Sequence, residues 1–251
     1  MIDLNNIESI LNKLNEIELD LPKEYELNDR SVPRVTEILS EMLHNDNLMT
    51  WSNSLGFKRI GYKSYMREAA DKGTYSHLAI ERFLKTKEIP SFMDTKEYPL
   101  RVQSVVYNTF HGFLKWWEEI NKYHKVEIVF SEKKLVHQYF GGTCDCVLKI
   151  DDRYWLIDFK TSNHMNYKYT LQLAAYKYLL KELEDIDISG CIVLILNKSL
   201  CSYNEYHLDL SNPDHNEYMN NCVEEFLILA AAYRMRIHTE NQYKNIFSDV
   251  L

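Results

Sequence analysis

One stretch constrains what this 251-residue chain can fold into: Thr143-Cys144-Asp145-Cys146-Val147-Leu148-Lys149-Ile150, two aspartates, then Arg153-Tyr154-Trp155-Leu156-Ile157-Asp158-Phe159-Lys160. Two short runs rich in β-branched and aromatic residues, separated by a turn, read as an antiparallel hairpin. A turn centred on Asp151–Asp152 sets Asp145 directly across from Asp158, and Thr143 across from Lys160. Cross-strand partners share a face, with Cβ atoms about 4.5–5.5 Å apart. Alternation with period two puts Lys160 on the same face as Asp158. The opposite face collects Cys144, Cys146, Leu148, Ile150, Trp155, Ile157 and Phe159, and reads as the core side. That pattern pins the register, because a slip of one residue would drive both aspartates into the core.

Two facing carboxylates repel unless something cationic lies between them. Mg2+ or Mn2+, which favour oxygen ligands, are the natural occupants. Lys160 adds a fixed positive charge beside the pair. The trio suits attack by a metal-activated water on a phosphodiester, with metal and lysine stabilising the developing charge. The plainer reading is a solvated hairpin face with Lys160 bridged to one aspartate. A half-buried acid pair in an apolar strand calls for the stronger explanation.

Around this hairpin, apolar spacings of three and four predict helices near 4–17, 33–44, 46–56, 62–85 and 96–122. Strands are expected at VEIVFSEKKLV, TCDCVLKI and YWLIDFK, then at 190–197 and 202–209. Helices at 166–183 and 212–238 complete the pattern, followed by a polar tail. The expected fold class is α/β, with a central mixed β-sheet flanked by helices. Residues 1–251 read as one domain: a mainly helical portion (1–122), a catalytic sheet core (123–210), and a C-terminal helix and tail (211–251).

The hairpin run Gly141-Gly142-Thr143-Cys144-Asp145 and the run Ile157-Asp158-Phe159-Lys160-Thr161-Ser162 resemble the PD-(D/E)xK nuclease superfamily, specifically its RecB-like branch with Cas4 and many phage exonucleases. Gln172-Leu173-Ala174-Ala175-Tyr176 is similar to that branch's Q-x-x-x-Y helix motif, and Gly73-Thr74-Tyr75-Ser76-His77 to its histidine-bearing helix. The resemblance implies a restriction-endonuclease-like core. It implies that His77, Asp145 and Asp158 bind Mg2+ or Mn2+, with the Phe159 carbonyl as a further ligand. Asp145, Asp158, Lys160, Gln172 and Tyr176 would form the catalytic set, Gln172 and Tyr176 touching Lys160 or a DNA phosphate. Thr161 and Ser162 would bind phosphate, or else cap the following turn. Glu132 matches an acidic position seen in this branch, and Glu81, one helical turn past His77, could orient it; both roles stay open.

The five cysteines lack the spacing of an iron–sulfur or zinc site, so a cluster-free, phage-exonuclease-like member is expected. The formal charge of −8 argues against a protein that coats polyanions generally, yet leaves room for a local cationic groove. Arg59, Lys63 and Arg67 are candidates to line it, and Trp116-Trp117 to stack on bases or to pack in the core. No apolar run reaches the roughly 18–20 residues of a membrane span, and a cytoplasmic location is expected. The expected activity is a DNA exonuclease in recombination, repair or phage DNA processing, with DNA as substrate and recombination or repair proteins as candidate partners. The alternatives are an endonuclease with the same chemistry, or a noncatalytic nucleic-acid- or protein-binding module on the same fold.

Overall fold

The computed structural model describes residues 4–15, 19, 21, 23–43, 61–92 and 94–247. The helix expected over 46–56, and Arg59, lie outside the described residues. Helices α1 (Leu4–Asn15) and α2 (Val35–Met42) flank a two-residue hairpin of β1 (Glu26–Leu27) and β2 (Arg30–Ser31). Two long helices follow, α3 (Tyr62–Thr86) and α4 (Leu100–Tyr123). The sheet strands are β3 (Val126–Val136), β4 (Gly141–Ile150) and β5 (Arg153–Lys160), then β6 (Gly190–Leu196) and β7 (Tyr203–Asp209). Helix α5 (Tyr167–Glu184) links β5 to β6, and α6 (Pro213–Ile246) follows β7.

The strands lie in the order β3-β4-β5-β6-β7, antiparallel except for the β5–β6 pair. This is the expected mixed sheet flanked by helices. A parallel pair needs a crossover, and α5 supplies it. Strand β6 is buried along its whole length, matching its unbroken Cys191-Ile-Val-Leu-Ile-Leu196 run. Asn166 caps α5 by accepting the Lys168 N–H, and Asn212 caps α6 in the same way, followed by Pro213 in the first turn. Helix α6 runs on to Ile246, well past the expected end near 238.

Two apolar clusters sandwich the sheet. Helices α3 and α4 cover one face with Ile80, Phe110, Phe113 and Trp116 over Cys146, Leu148, Ile157 and Phe159. Helices α5 and α6, with α1 and α2, cover the other, packing Leu173, Leu179 and Phe226 on Val147, Leu156 and Val193. The expectation of one core face therefore needs correction. Both faces are buried, and Cys144 packs into the α5–α6 layer although Cys146 packs into the α3–α4 layer. Strict alternation along β4 breaks at the residue between them, Asp145. Trp116 is core and Trp117 stacks on Phe113, so the tryptophan pair packs within the protein.

The hairpin turn falls where expected. Asp151 and Asp152 both have positive φ, 47° and 66°, the signature of a tight turn with twist matched to its strands. Aspartate tolerates this region better than most residues; Asp152 pairs locally with Lys149, and Asp151 accepts the Lys125 N–H at 2.9 Å from just before the neighbouring strand β3.

Candidate active site

The β4–β5 ladder runs from Ile150↔Arg153 to Cys146↔Ile157 in the expected register. Asp145 and Asp158 come next, where that ladder ends. Both are buried, at 8% and 1% exposure. The Asp145 carboxylate turns to accept the Phe159 backbone N–H at 2.8 Å. Asp158 Oδ1 accepts from Lys160 Nζ at 2.8 Å, and Asp158 Oδ2, also buried, has no hydrogen-bond partner.

Helix α3 brings His77 across the end of β5. Its Nε2 lies 3.0 Å from the Phe159 carbonyl oxygen. Its Nδ1 lies 3.5 Å from both Asp145 and Glu132 carboxylate oxygens. Glu132 reaches this point by an irregular route. The β3–β4 register shifts between Ile128 and Phe130, and Glu132 itself has φ 51°, unfavourable for a residue with a side chain. Strained backbone of this kind clusters at functional positions. One ligand atom each from His77, Glu132 and Asp145 lies within 4.8 Å of the others. A cavity of about 410 Å3 opens over His77, Gly73, Thr74, Glu81 and Glu132. Glu81 pairs with Lys85, leaving the carboxylates beside His77 to Glu132 and Asp145.

Helix α5 completes the group from the other face. Gln172 accepts from Lys160 Nζ at 3.1 Å, and its side chain lies against the Tyr176 hydroxyl. Tyr176 packs against Gly142, where a Cβ would stand 2.7 Å from its ring, so any side chain there would push the tyrosine aside. Thr161 faces Gly73 of α3. Ser162 Oγ donates to the His164 carbonyl at 3.0 Å, the turn-capping alternative. Lys63 and Arg67 are exposed on the first turns of α3.

The charges explain one another. Burial works to lower the His77 imidazole, but the Asp145 and Glu132 carboxylates outweigh it and hold it up at about 9. Burial raises Asp158; Lys160 pulls it down and Asp145 pushes it up, leaving it at about 6. Burial works to lower Lys160, and Asp158 and Asp145 more than restore it, so the ammonium stays charged. Near neutral pH, an imidazolium is thus the cation held between Glu132 and Asp145.

Sequence reasoning set His77, Asp145, Asp158, Phe159, Lys160, Gln172 and Tyr176 down as one group, and the structure brings these residues together. Glu132 was the residue it left without a role. Its place depends on a bulge and a positive φ, neither of which alternation along β3 reveals.

The donor set suits a hard divalent cation: the Asp145 and Glu132 carboxylates and the His77 imidazole gather together, the Phe159 carbonyl lies beside the imidazole, and Asp158, outside that trio, keeps one buried oxygen unpartnered. A sequence model described as the PD-(D/E)XK nuclease superfamily matches residues 52–237. Comparison with curated proteins finds no match. The solved structure titled "Crystal structure of SSO0001" is 14% identical, with 90% of this chain and 86% of that chain covered and a TM-score of 0.32. A likeness that loose carries no argument.

Proposed function

Because the chain belongs to the PD-(D/E)XK nuclease superfamily, whose model spans residues 52–237, we propose that it is a Mg2+- or Mn2+-dependent DNA exonuclease of the RecB-like branch. In this reading it lacks an iron–sulfur cluster and acts as one nuclease unit in recombination, repair or phage DNA processing. The observation that carries the reading is Asp158: a buried carboxylate with one oxygen on Lys160 and the other unpartnered, beside a second buried acid. Such a group is costly unless a cation satisfies it.

Asp145, Asp158, the Phe159 carbonyl and His77 would hold the ion, with Glu132 next to them. When bound, the ion polarises the phosphodiester and lowers the pKa of a water. The chain's own groups do the rest. Lys160, fixed by Asp158 and Gln172, presents an ammonium to the charge that develops on phosphorus oxygens. Gln172 keeps that ammonium in place and is itself backed by Tyr176. The Phe159 N–H holds the Asp145 carboxylate in one orientation. No helix among the described residues is long and apolar enough to cross a membrane, and DNA in solution is the proposed substrate.

The test is degradation of linear duplex DNA by wild type and Asp158→Ala with Mg2+, with Mn2+ and with EDTA. Metal-dependent cleavage lost in the variant is expected; cleavage undiminished in the variant overturns the assignment. Covalently closed circular DNA should resist, and its degradation would exclude an obligate exonuclease.

A further inference from the structure

Past Lys160 the chain runs out of β5 into Thr161-Ser162-Asn163, and there a second cavity of about 300 Å3 opens, lined in part by Ser162, Asn163, Asn197, Lys198 and Asn204. Its far wall is the β6–β7 loop, and that loop is pinned. Asn197 Oδ1 accepts the N–H groups of Ser199 and Leu200, both at 2.9 Å. The Asn197 N–H donates to the Ser202 carbonyl at 3.0 Å. From α4, Asn108 donates to the Lys198 carbonyl at 3.0 Å. Gly112 lets the loop lie against the helix, since a Cβ there would stand 2.6 Å from the Ser202 carbonyl oxygen.

This ordered backbone presents a half-buried lysine whose ammonium has no carboxylate or hydrogen-bond partner among the described residues. Burial lowers its pKa, and repulsion from Lys72 lowers it further. Lys72 comes from α3, next to Gly73, which faces Thr161. It is offset by Glu68 at 2.6 Å, while Lys198 is not offset. A half-buried ammonium lining a cavity just past the end of β5, repelled by a second lysine and without a counter-ion among the described residues, costs energy that an anion would relieve. The logic is that of the acid pair with the sign reversed.

We infer that this pocket is a phosphate subsite, holding the nucleic-acid backbone beside the bond being cleaved, with Lys198 as its anchoring cation. The carboxamides of Asn163 and Asn204 supply neutral donors at its rim. A lysine serves as a compact point charge, suited to a sequence-independent phosphate contact. The inference rests on the nuclease reading above.

Full-length wild type, Lys198→Gln, Lys198→Arg and, as a charge control, Lys244→Gln from the exposed end of α6 are compared on a linear duplex with Mn2+ over a range of salt. For Lys198→Gln, KM should rise several-fold with kcat held within about twofold, and the slope of log KM against log salt should shrink by about one. Lys198→Arg should restore both, and Lys244→Gln should match wild type. Wild-type KM and salt slope in Lys198→Gln overturn the subsite alone, as does a loss confined to kcat. A wild type that cleaves no DNA with Mn2+, nor with Mg2+ in a parallel assay, overturns the nuclease reading, and the subsite falls with it.

Discussion

Asp145 and Phe159 are joined side chain to backbone: the carboxylate of one accepts the N–H of the other at 2.8 Å, just beyond the last ladder pair of β4 and β5. The Phe159 carbonyl in turn meets His77 at 3.0 Å. Both polar backbone atoms of the residue between Asp158 and Lys160 are therefore engaged by groups of the site. The residue that positions the chemistry is itself positioned by it.

Removing the acceptor should be felt in stability as well as in activity. Asp145→Ala strands the buried Phe159 N–H, whereas Asp145→Asn keeps an oxygen for it. Leaving such a donor unpaired costs about 1–3 kcal/mol. Denaturant unfolding in EDTA should find the alanine variant less stable than the asparagine variant by roughly that amount, with both inactive. Equal stabilities would show that this hydrogen bond does not hold the strand.

Glu132 should prove to be strained for the sake of its side chain. Its φ of 51° suits glycine. Glu132→Gly should therefore be more stable than Glu132→Ala by about 1–2 kcal/mol, while both bind Mn2+ more weakly than wild type. If alanine matches glycine in thermal unfolding, the backbone there is not strained.

The metal-free protein should lose stability as pH rises through the range of His77. The folded pKa, about 9, lies above the ordinary imidazole value of 6.5, so the fold binds more protons between those limits. The contribution is complete below about 6.5 and gone above about 9. Asp158, raised to about 6, adds a loss of the same sign at lower pH. Urea midpoints in EDTA at pH 6, 7.5 and 9 should fall for wild type relative to His77→Gln. Parallel curves for the two proteins would refute the coupling.

Metal should compete with the same proton. An ion taking its place between Glu132 and Asp145 displaces it from His77, so apparent Mn2+ affinity should climb with pH, about tenfold per unit, and level off near 9. Titration calorimetry at pH 7, 8 and 9.5 measures this. Affinity that is flat across those values would mean that His77 keeps its proton when metal binds.

Much of the site was legible because its signal is periodic. Asp145, Asp158 and Lys160 follow from two alternating strands around one turn, whereas Gln172, Tyr176 and His77 entered the candidate site only through their resemblance to the family's motifs. Alternation is blind to irregularity, however. The bulge near Val129 and the positive φ of Glu132 carry no residue signature, so the third carboxylate had no assigned role. The departure of Cys144 from the face of Cys146 was hidden for the same reason. The β1–β2 hairpin, two residues to a strand, is too short for any period to show. Lys198 has meaning only through contacts with α4 and α3, which lie far from it in sequence.

The two separate apolar layers give damage to this protein a direction. His77 rides on the layer built around Phe113 and Ile80, whereas Gln172 and Tyr176 ride on the layer built around Leu173 and Leu179. A hole cut beneath one layer, as by Leu179→Ala at about 2–5 kcal/mol, would loosen the grip on Lys160 and leave the histidine seated. A hole beneath the other would unseat the histidine and spare the lysine. Inherited defects far from any ligand would thus sort into two kinds, one starved of metal and one that binds it without effect.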